Sequence, residues 1–354
     1  MAGWPDRRFL ALTGAALPVV QAPMAGAGGV DLAVAAIDGG ALGSLPCALL
    51  TADQAVEQSG QVRARSNGPL NLNFFCHRIG DPPDEATWRK LLTPFYDEEG
   101  VEPGATPPLR RPFDAAMAEA VESVKPEVVS FHFGLPDAEL LGRVRRSGAK
   151  ILGNATTPAE GRWLAEQGCD AVIAQGFEAG GHAGWFLGEY RPVGLLALVR
   201  QLSSELPVPV VAAGGIVDAR GIAAAMLLGA SAVQIGTAYL ATPESMAASP
   251  HRALLGTRAA EDTAFTNLLS GRAARGIRNR LMDMLGPIRT EAPAFPFASN
   301  ALAPLRRAAE ADGRGDFSPL WAGQAAALVR AMPAQKLTEA LGREALALLE
   351  GVTL

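Results

Sequence analysis

The stretch "VPVVAAGGIVDARGIAAAMLLGASAVQIGT", residues 208–237, decides the architecture. Two short apolar runs, "VPVVAAGG" (208–215) and "SAVQIGT" (231–237), flank "DARGIAAAMLLG". Continuous apolar runs of this length suit parallel strands covered on both faces. The segment between them opens on Asp and closes on Gly, which are helix start and stop signals. Working outward, the same rhythm recurs in "PVVQAPM" (18–24), "ALGSLP" (41–46), "PLNLNFF" (69–75), "EVVSFHF" (127–133), "AKILGN" (149–154) and "DAVIAQG" (170–176). Helix-like stretches such as "TADQAVEQSG", "DAELLGRVRRSG" and "TPAEGRWLAEQG" separate them. Eight strand–helix units predict an α/β fold, a (β/α)₈ barrel. An open doubly wound sheet would show GxGxxG after a strand. The nearest approach, "GAGGVD" at 26–31, has Asp31 where the last glycine should stand.

The chain has 354 residues, 49% hydrophobic and 19% charged, so it can bury a large core. Its net charge is −5 and no basic run occurs, which argues against a nucleic-acid surface. Cys47, Cys76 and Cys169 form no CxxC pair, as expected in a reducing, cytoplasmic setting. The N-terminal "RRFLALTGAALPVVQA" has the twin arginines and apolar stretch of an export signal. Thr13-Gly14 and Pro18 interrupt it, so it is expected instead to lead into the first buried strand. No run reaches the roughly eighteen apolar residues of a membrane helix.

Three parts are expected: a barrel over 1–244, a mainly helical cap over 245–316 inserted after strand eight, and closing helices over 317–354. A Pro-rich excursion at 76–113 also exceeds a minimal barrel, and such loops are often functional.

In a barrel the active site lies at the C-terminal ends of the strands, with phosphate commonly held after strands seven and eight. Gly214 and Gly215 precede a predicted helix, where exposed N–H groups suit an anion. Gly236 and Thr237 would complete that cradle from the neighbouring strand. The amides of Asn73, Gln175 and Gln234 could serve the polar edge of a heteroaromatic ring, or simply be satisfied core contacts. "QGFEAGGHAG" (175–184) is poor packing material, and its glycines, Gly180 and Gly181 among them, suggest backbone passing close to a ligand. It also holds His182. His77, His132, His182 and His251 are too dispersed for a metal site, and no metal is expected. HExxH, GxSxG and P-loop motifs are absent, so redox chemistry would need a cofactor.

"QAPMAG", "NLNFFCH", "VVSFHFGLP", "AQGFEAGGHAG", "AAGGI…QIGT", "TNLLSGRAARGIRN" and "LWAGQAA" together resemble the nitronate monooxygenase family, formerly the 2-nitropropane dioxygenases. The resemblance covers nearly the whole chain. It implies an FMN-containing barrel that oxidises nitronates, or related carbanions, with O₂ to carbonyl compounds and nitrite. It places FMN against Met24, Asn73, Gln175, Gly180, Gly215 and Gln234 to Thr237, and makes His182 the active-site histidine. His132 and Phe295 are expected to line the substrate pocket. Family members often carry tyrosine before the proline at Pro296, whereas this chain has Phe295. The competing expectations are an FMN-dependent NAD(P)H reductase of the enoyl-acyl-carrier-protein or quinone reductase type, and a flavin-binding barrel without turnover. A homodimer is a further expectation.

Overall fold

The computed structural model describes residues 3–104 and 109–351, so 105–108 of the excursion lie outside it. The eight expected strands are present: β1 (Val19–Gln21), β2 (Gly43–Pro46), β3 (Leu70–Phe75), β4 (Val128–His132), β5 (Lys150–Ala155), β6 (Ala171–Gln175), β7 (Val210–Ala213) and β8 (Ala232–Ile235). Each is parallel to its neighbours, in the order β1-β8-β7-β6-β5-β4-β3-β2. A parallel bridge from Val20 to Leu42 closes the ring, with Gln21 N donating to Leu42 O at 3.0 Å. The protein is a (β/α)₈ barrel.

The intervening helices begin where the sequence places its caps. Thr51 and Gln54 form a reciprocal capping box, and Asp114, Asp137, Thr157 and Asp218 each accept from an N–H in the first turn of their helix. Between these helices and the strands lies the main apolar core. Inside the barrel, Val20, Leu42, Val128, Leu152, Ala171, Val211 and Ala232 form a second, smaller layer. The twin-arginine segment contributes here. It forms a helix, Arg8–Thr13, rather than a plain lead-in, and buries Phe9 completely within that layer. A barrel interior is filled by side chains, and Phe9 supplies part of the filling.

The two stretches that a minimal barrel does not need pack on each other. Helix Ala86–Glu99, from the excursion, meets helices Arg280–Leu285 and Ser299–Ala311 around Trp88, Leu92, Phe95, Leu305 and Phe317. Glu99 is tied to Arg314 at 2.7 Å. Residues 245–316 are not all helical. Thr263–Thr266 and Ala274–Ile277 form an antiparallel hairpin, and Gly181–His182 joins it as a third strand. The hairpin is hard to foresee because "SGRAARGIRN" reads as polar. Its Arg275 is nonetheless buried, stacked 4.5 Å from Phe177 and 4.4 Å from Phe265.

The expected closing helices are a single helix. Residues 318–333 run without α-helix apart from a 3₁₀ turn at Ala326–Leu328, and only Ala334–Glu350 is a full helix. Pro319, Gly323 and Pro333 disfavour helix there. The last helix packs on helices Val30–Asp38 and Ala219–Leu227. Among the described residues, no helix is long and apolar enough to cross a membrane.

Gly180 allows residues 322–323 to pass against it. A Cβ there would lie 2.5 Å from Ala322 C and 2.6 Å from Gly323 N, both backbone atoms. Gly180→Ala is therefore expected to destabilise the protein by about 1–3 kcal/mol in urea denaturation. Gly60→Ala, on an exposed helix face with nothing within 4 Å, is expected to stabilise by roughly 0.5–1 kcal/mol. Equal effects of the two changes would contradict the close approach at Gly180.

Candidate active site

At the C-terminal ends of the strands, a cavity of about 280 Å³ opens between the barrel and the segments that cross it. Met24, Asn73, Gln175, Gly180, Gly181, Gly214, Gly215, Gln234, Gly236 and Thr237 all line it, as do His132 and His182. Two expected residues lie elsewhere. Ile235 is fully buried in the main core, because on a strand its side chain points opposite to Gln234. Phe295 is not part of the cavity wall but stands behind it, its ring 5.2 Å from His182 and 4.8 Å from His77.

His182 is held by its neighbours on both sides. Its carbonyl accepts from Gln175 Nε2 at 2.9 Å and from His132 Nε2 at 3.2 Å. Gln175 Oε1 in turn accepts from Gly184 N at 2.8 Å and Asn154 Nδ2 at 3.0 Å. The imidazole Nε2 lies 2.9 Å from Ser270 Oγ. With the Ser270 hydroxyl donating its one proton to Arg272 O, 3.2 Å away, Nε2 is assigned as the donor to Ser270. His182 is then the Nε2–H tautomer, with the Nδ1 lone pair free of hydrogen bonds among the described residues. Burial, and after it Arg110 and the other cationic neighbours, hold its pKa well below the usual histidine value. It is neutral at pH 7. His132 is likewise pushed down to about 3 by burial.

The glycines of "QGFEAGGHAG" have separate duties. Gly181 has φ +73° and open space where a Cβ would be, so its backbone borders the cavity. A Cβ on Gly184 would strike Asn154 Nδ2 at 2.3 Å and His132 at 2.6 Å. Gly180, as described, makes room for 322–323.

On the opposite wall, Gly214 and Gly215 have φ of +124° and +68°. The following helix begins only at Ala219, and Asp218 already caps it by accepting from Gly221 N at 2.9 Å. The glycine loop therefore stands apart from that helix N-terminus, whose first turn is already capped. The N–H groups of Gly215 and Gly236 make no backbone hydrogen bond among the described residues. Gln234 Oε1 is buried and has no partner. Thr237 Oγ1 accepts from Gly323 N at 3.0 Å, leaving its own proton to donate.

Residues that sequence reading missed also reach the cavity. Arg110 enters from the excursion, and Trp321 and His251 from the later segments. Ser270 lies inside "TNLLSGRAARGIRN", but nothing in that string marks it as the partner of a histidine 88 positions away.

Fold and site together define a (β/α)₈ barrel protein with a neutral histidine and a glycine-rich rim facing one cavity at the strand ends. The pattern described as nitronate monooxygenase matches residues 7–344, and the chain belongs to that family. It is 43% identical to the nitronate monooxygenase of Pseudomonas aeruginosa over 95% of this chain and 98% of that protein. Its fold matches a nitroalkane oxidase from Streptomyces ansochromogenes with a TM-score of 0.88 and 36% identity, covering 97% of this chain and 99% of the other. FabK from Thermotoga maritima aligns with a TM-score of 0.72 and 26% identity over 97% of both chains. The protein is an enzyme that oxidises nitronates, and its family is one of flavoenzymes.

All four histidines are held below their usual pKa, mainly by burial: His77 and His251 at about 4, His132 at about 3, and His182 lower than usual without partner carboxylates. Unfolding lets each take up a proton near pH 6.5, so the unfolded state binds more protons below that pH and stability rises with pH. The melting temperature is expected to fall steadily from pH 7 to pH 5, a window above the carboxylate range. A flat calorimetric profile over that window would refute the neutral burial of these rings.

Proposed function

We propose that this enzyme carries FMN and uses O₂ as electron acceptor, and that His182 is its catalytic residue. The observation that carries this reading is that the glycine rim of β7 and β8 and the neutral His182 share one cavity. The residues present fit the cofactor. Gln234 Oε1 is a buried acceptor without a partner, which a ring N–H would satisfy. Gly215 and Gly236 offer unengaged N–H groups for a phosphate, and the site holds one such cradle, which suits FMN. Met24, Asn73, Gln175, Gly181, Gly214 and Thr237 would complete its surroundings. Gly180 lines the same cavity and would border the cofactor while also packing against Gly323. When bound, the flavin supplies the redox chemistry that the side chains lack.

The protein's own residues do the rest. His182 Nδ1 has the free lone pair and so can accept a carbon-bound proton, while Ser270 holds the ring in that tautomer. Residues 245–316 act as a substrate cap, and the 318–325 segment helps to exclude water. The three free cysteines fit a cytoplasmic enzyme, and a homodimer is retained as a proposal. The similarity to the nitroalkane oxidase exceeds that to FabK, which favours nitronate oxidation over the reductase alternative.

Two predictions test the assignments. His182→Ala is expected to slow oxidation of neutral nitroalkanes by about 10²–10⁴-fold and of preformed nitronates far less, because only the former must lose a proton. Steady-state rates on both substrates decide it, and equal loss would assign His182 to positioning. Gly215 has φ +68°, so any side chain there is strained. Gly215→Asp is expected to lose flavin far more completely than Gly215→Ala, since only Asp sets a charge against the phosphate. Equal flavin content, measured after denaturation, would move the phosphate elsewhere.

A further inference from the structure

Arg110 lies in the Pro-rich excursion, yet it lines the cavity that holds His182. Among the described residues its guanidinium makes no ion pair, whereas Arg306, which also lines the cavity, is paired with Glu310 at 2.8 Å. Desolvation lowers the pKa of Arg110 and no carboxylate offsets it. A partly buried cation left unpaired is costly, so it is retained where something else meets it.

The backbone at this position is fixed. Buried His77 donates from Nε2 to Arg110 O at 3.1 Å, and Phe113 N donates to Phe75 O at 2.8 Å, anchoring the returning segment of the excursion. The guanidinium stands 6.0 Å from the Phe295 ring, which itself lies 5.2 Å from His182. Cation, histidine and apolar wall therefore surround the same space. The wall includes Phe75, whose ring is 6.2 Å from His182.

We infer that Arg110 receives the nitro oxygens of the substrate and so sets a preference for small, anionic nitronates with apolar substituents. A guanidinium presents parallel N–H donors that match two oxygens on one atom, as it does for carboxylates. Arg110 also divides the labour within the site. His182 is neutral and cannot hold an anion by charge, so binding of the anion falls to Arg110 while His182 handles the proton. A fixed cation beside the nitro group also stabilises the negative charge that develops as a neutral nitroalkane is deprotonated. This inference rests on the nitronate reading of the site, but not on the identity of the flavin.

The test uses purified holoenzyme and nitrate, a planar monoanion that shares the oxygen arrangement of a nitronate. Calorimetric titration compares wild type with Arg110→Met, Arg110→Lys and Arg111→Met, the last removing a charge from the exposed neighbouring side chain. Arg110→Met is expected to weaken nitrate binding by at least about tenfold, Arg110→Lys by less, and Arg111→Met hardly at all. The KM for a nitronate should rise in parallel in Arg110→Met while flavin content and circular dichroism stay unchanged. Unaltered nitrate affinity in Arg110→Met would overturn the inference. Loss of flavin from that variant would also overturn it, by assigning Arg110 to the cofactor. If the wild type binds nitrate through Arg110 but contains no FMN, the cofactor assignment fails and the role of Arg110 stands.

Discussion

The side-chain amide of Gln175 is the point on which the site depends. It sits at the end of β6, and three hydrogen bonds run from it, to His182 O, Gly184 N and Asn154. The segment 176–184 leaves the barrel and returns to the same amide. A glycine-rich loop has a high entropy to lose, and fixing both ends of a short piece removes most of its freedom. With residues 182–184 fixed, Gly181–His182 can pair with Ala274–Ile277, and that pairing brings Ser270 to the imidazole.

Around that anchor, segments far apart in the chain build a second layer over the barrel mouth. The excursion helix Ala86–Glu99 supplies Trp88 and Phe95, helix Ser299–Ala311 supplies Leu302 and Leu305, and together they bury a core separate from the barrel. The excursion is thereby held so that its returning segment delivers Arg110. The stretch after Phe317 crosses the cavity without an α-helix, and Gly180 is the residue that lets it come close. Stability of this layer and geometry of the site are linked, since the excursion, helix Ser299–Ala311 and the stretch after Phe317 contribute the cavity residues Arg110, Arg306 and Trp321.

The electrostatics follow from burial. Arg272 lies 3.8 Å from Trp185 and 4.2 Å from Phe133, near His132, and its charge adds to that of Arg110 in keeping the histidines neutral. Under the proposed function, such a site would attract an anion without needing a protonated histidine, leaving the imidazole as the proposed proton acceptor. Balanced against this, carboxylates near the cavity are engaged. Glu160 accepts from Thr156 and from the Phe186 and Leu187 N–H groups, and Glu178 from Leu195 N.

The sequence alone determined the barrel, because parallel strands buried on both faces must be apolar and helices between them must be capped. Those are local requirements, visible in "VPVVAAGG", in "SAVQIGT" and in Thr51, Asp137 and Asp218. It also marked the glycine rim and His182, since the residues that bear on a cavity at the strand ends are set by the barrel itself. The tertiary structure decided what depends on partners distant in the chain. That the Arg-rich start would plug the barrel with Phe9, that "SGRAARGIRN" would be a hairpin, and that the stretch after Phe317 would cross the cavity are matters of packing, not propensity. So are the tautomer of His182, set by a serine 88 residues away, and the arrival of Arg110 from a loop whose composition carries no periodic signal. A hydrogen bond or a desolvated charge exists only once both sides are brought together, and no local pattern encodes that meeting.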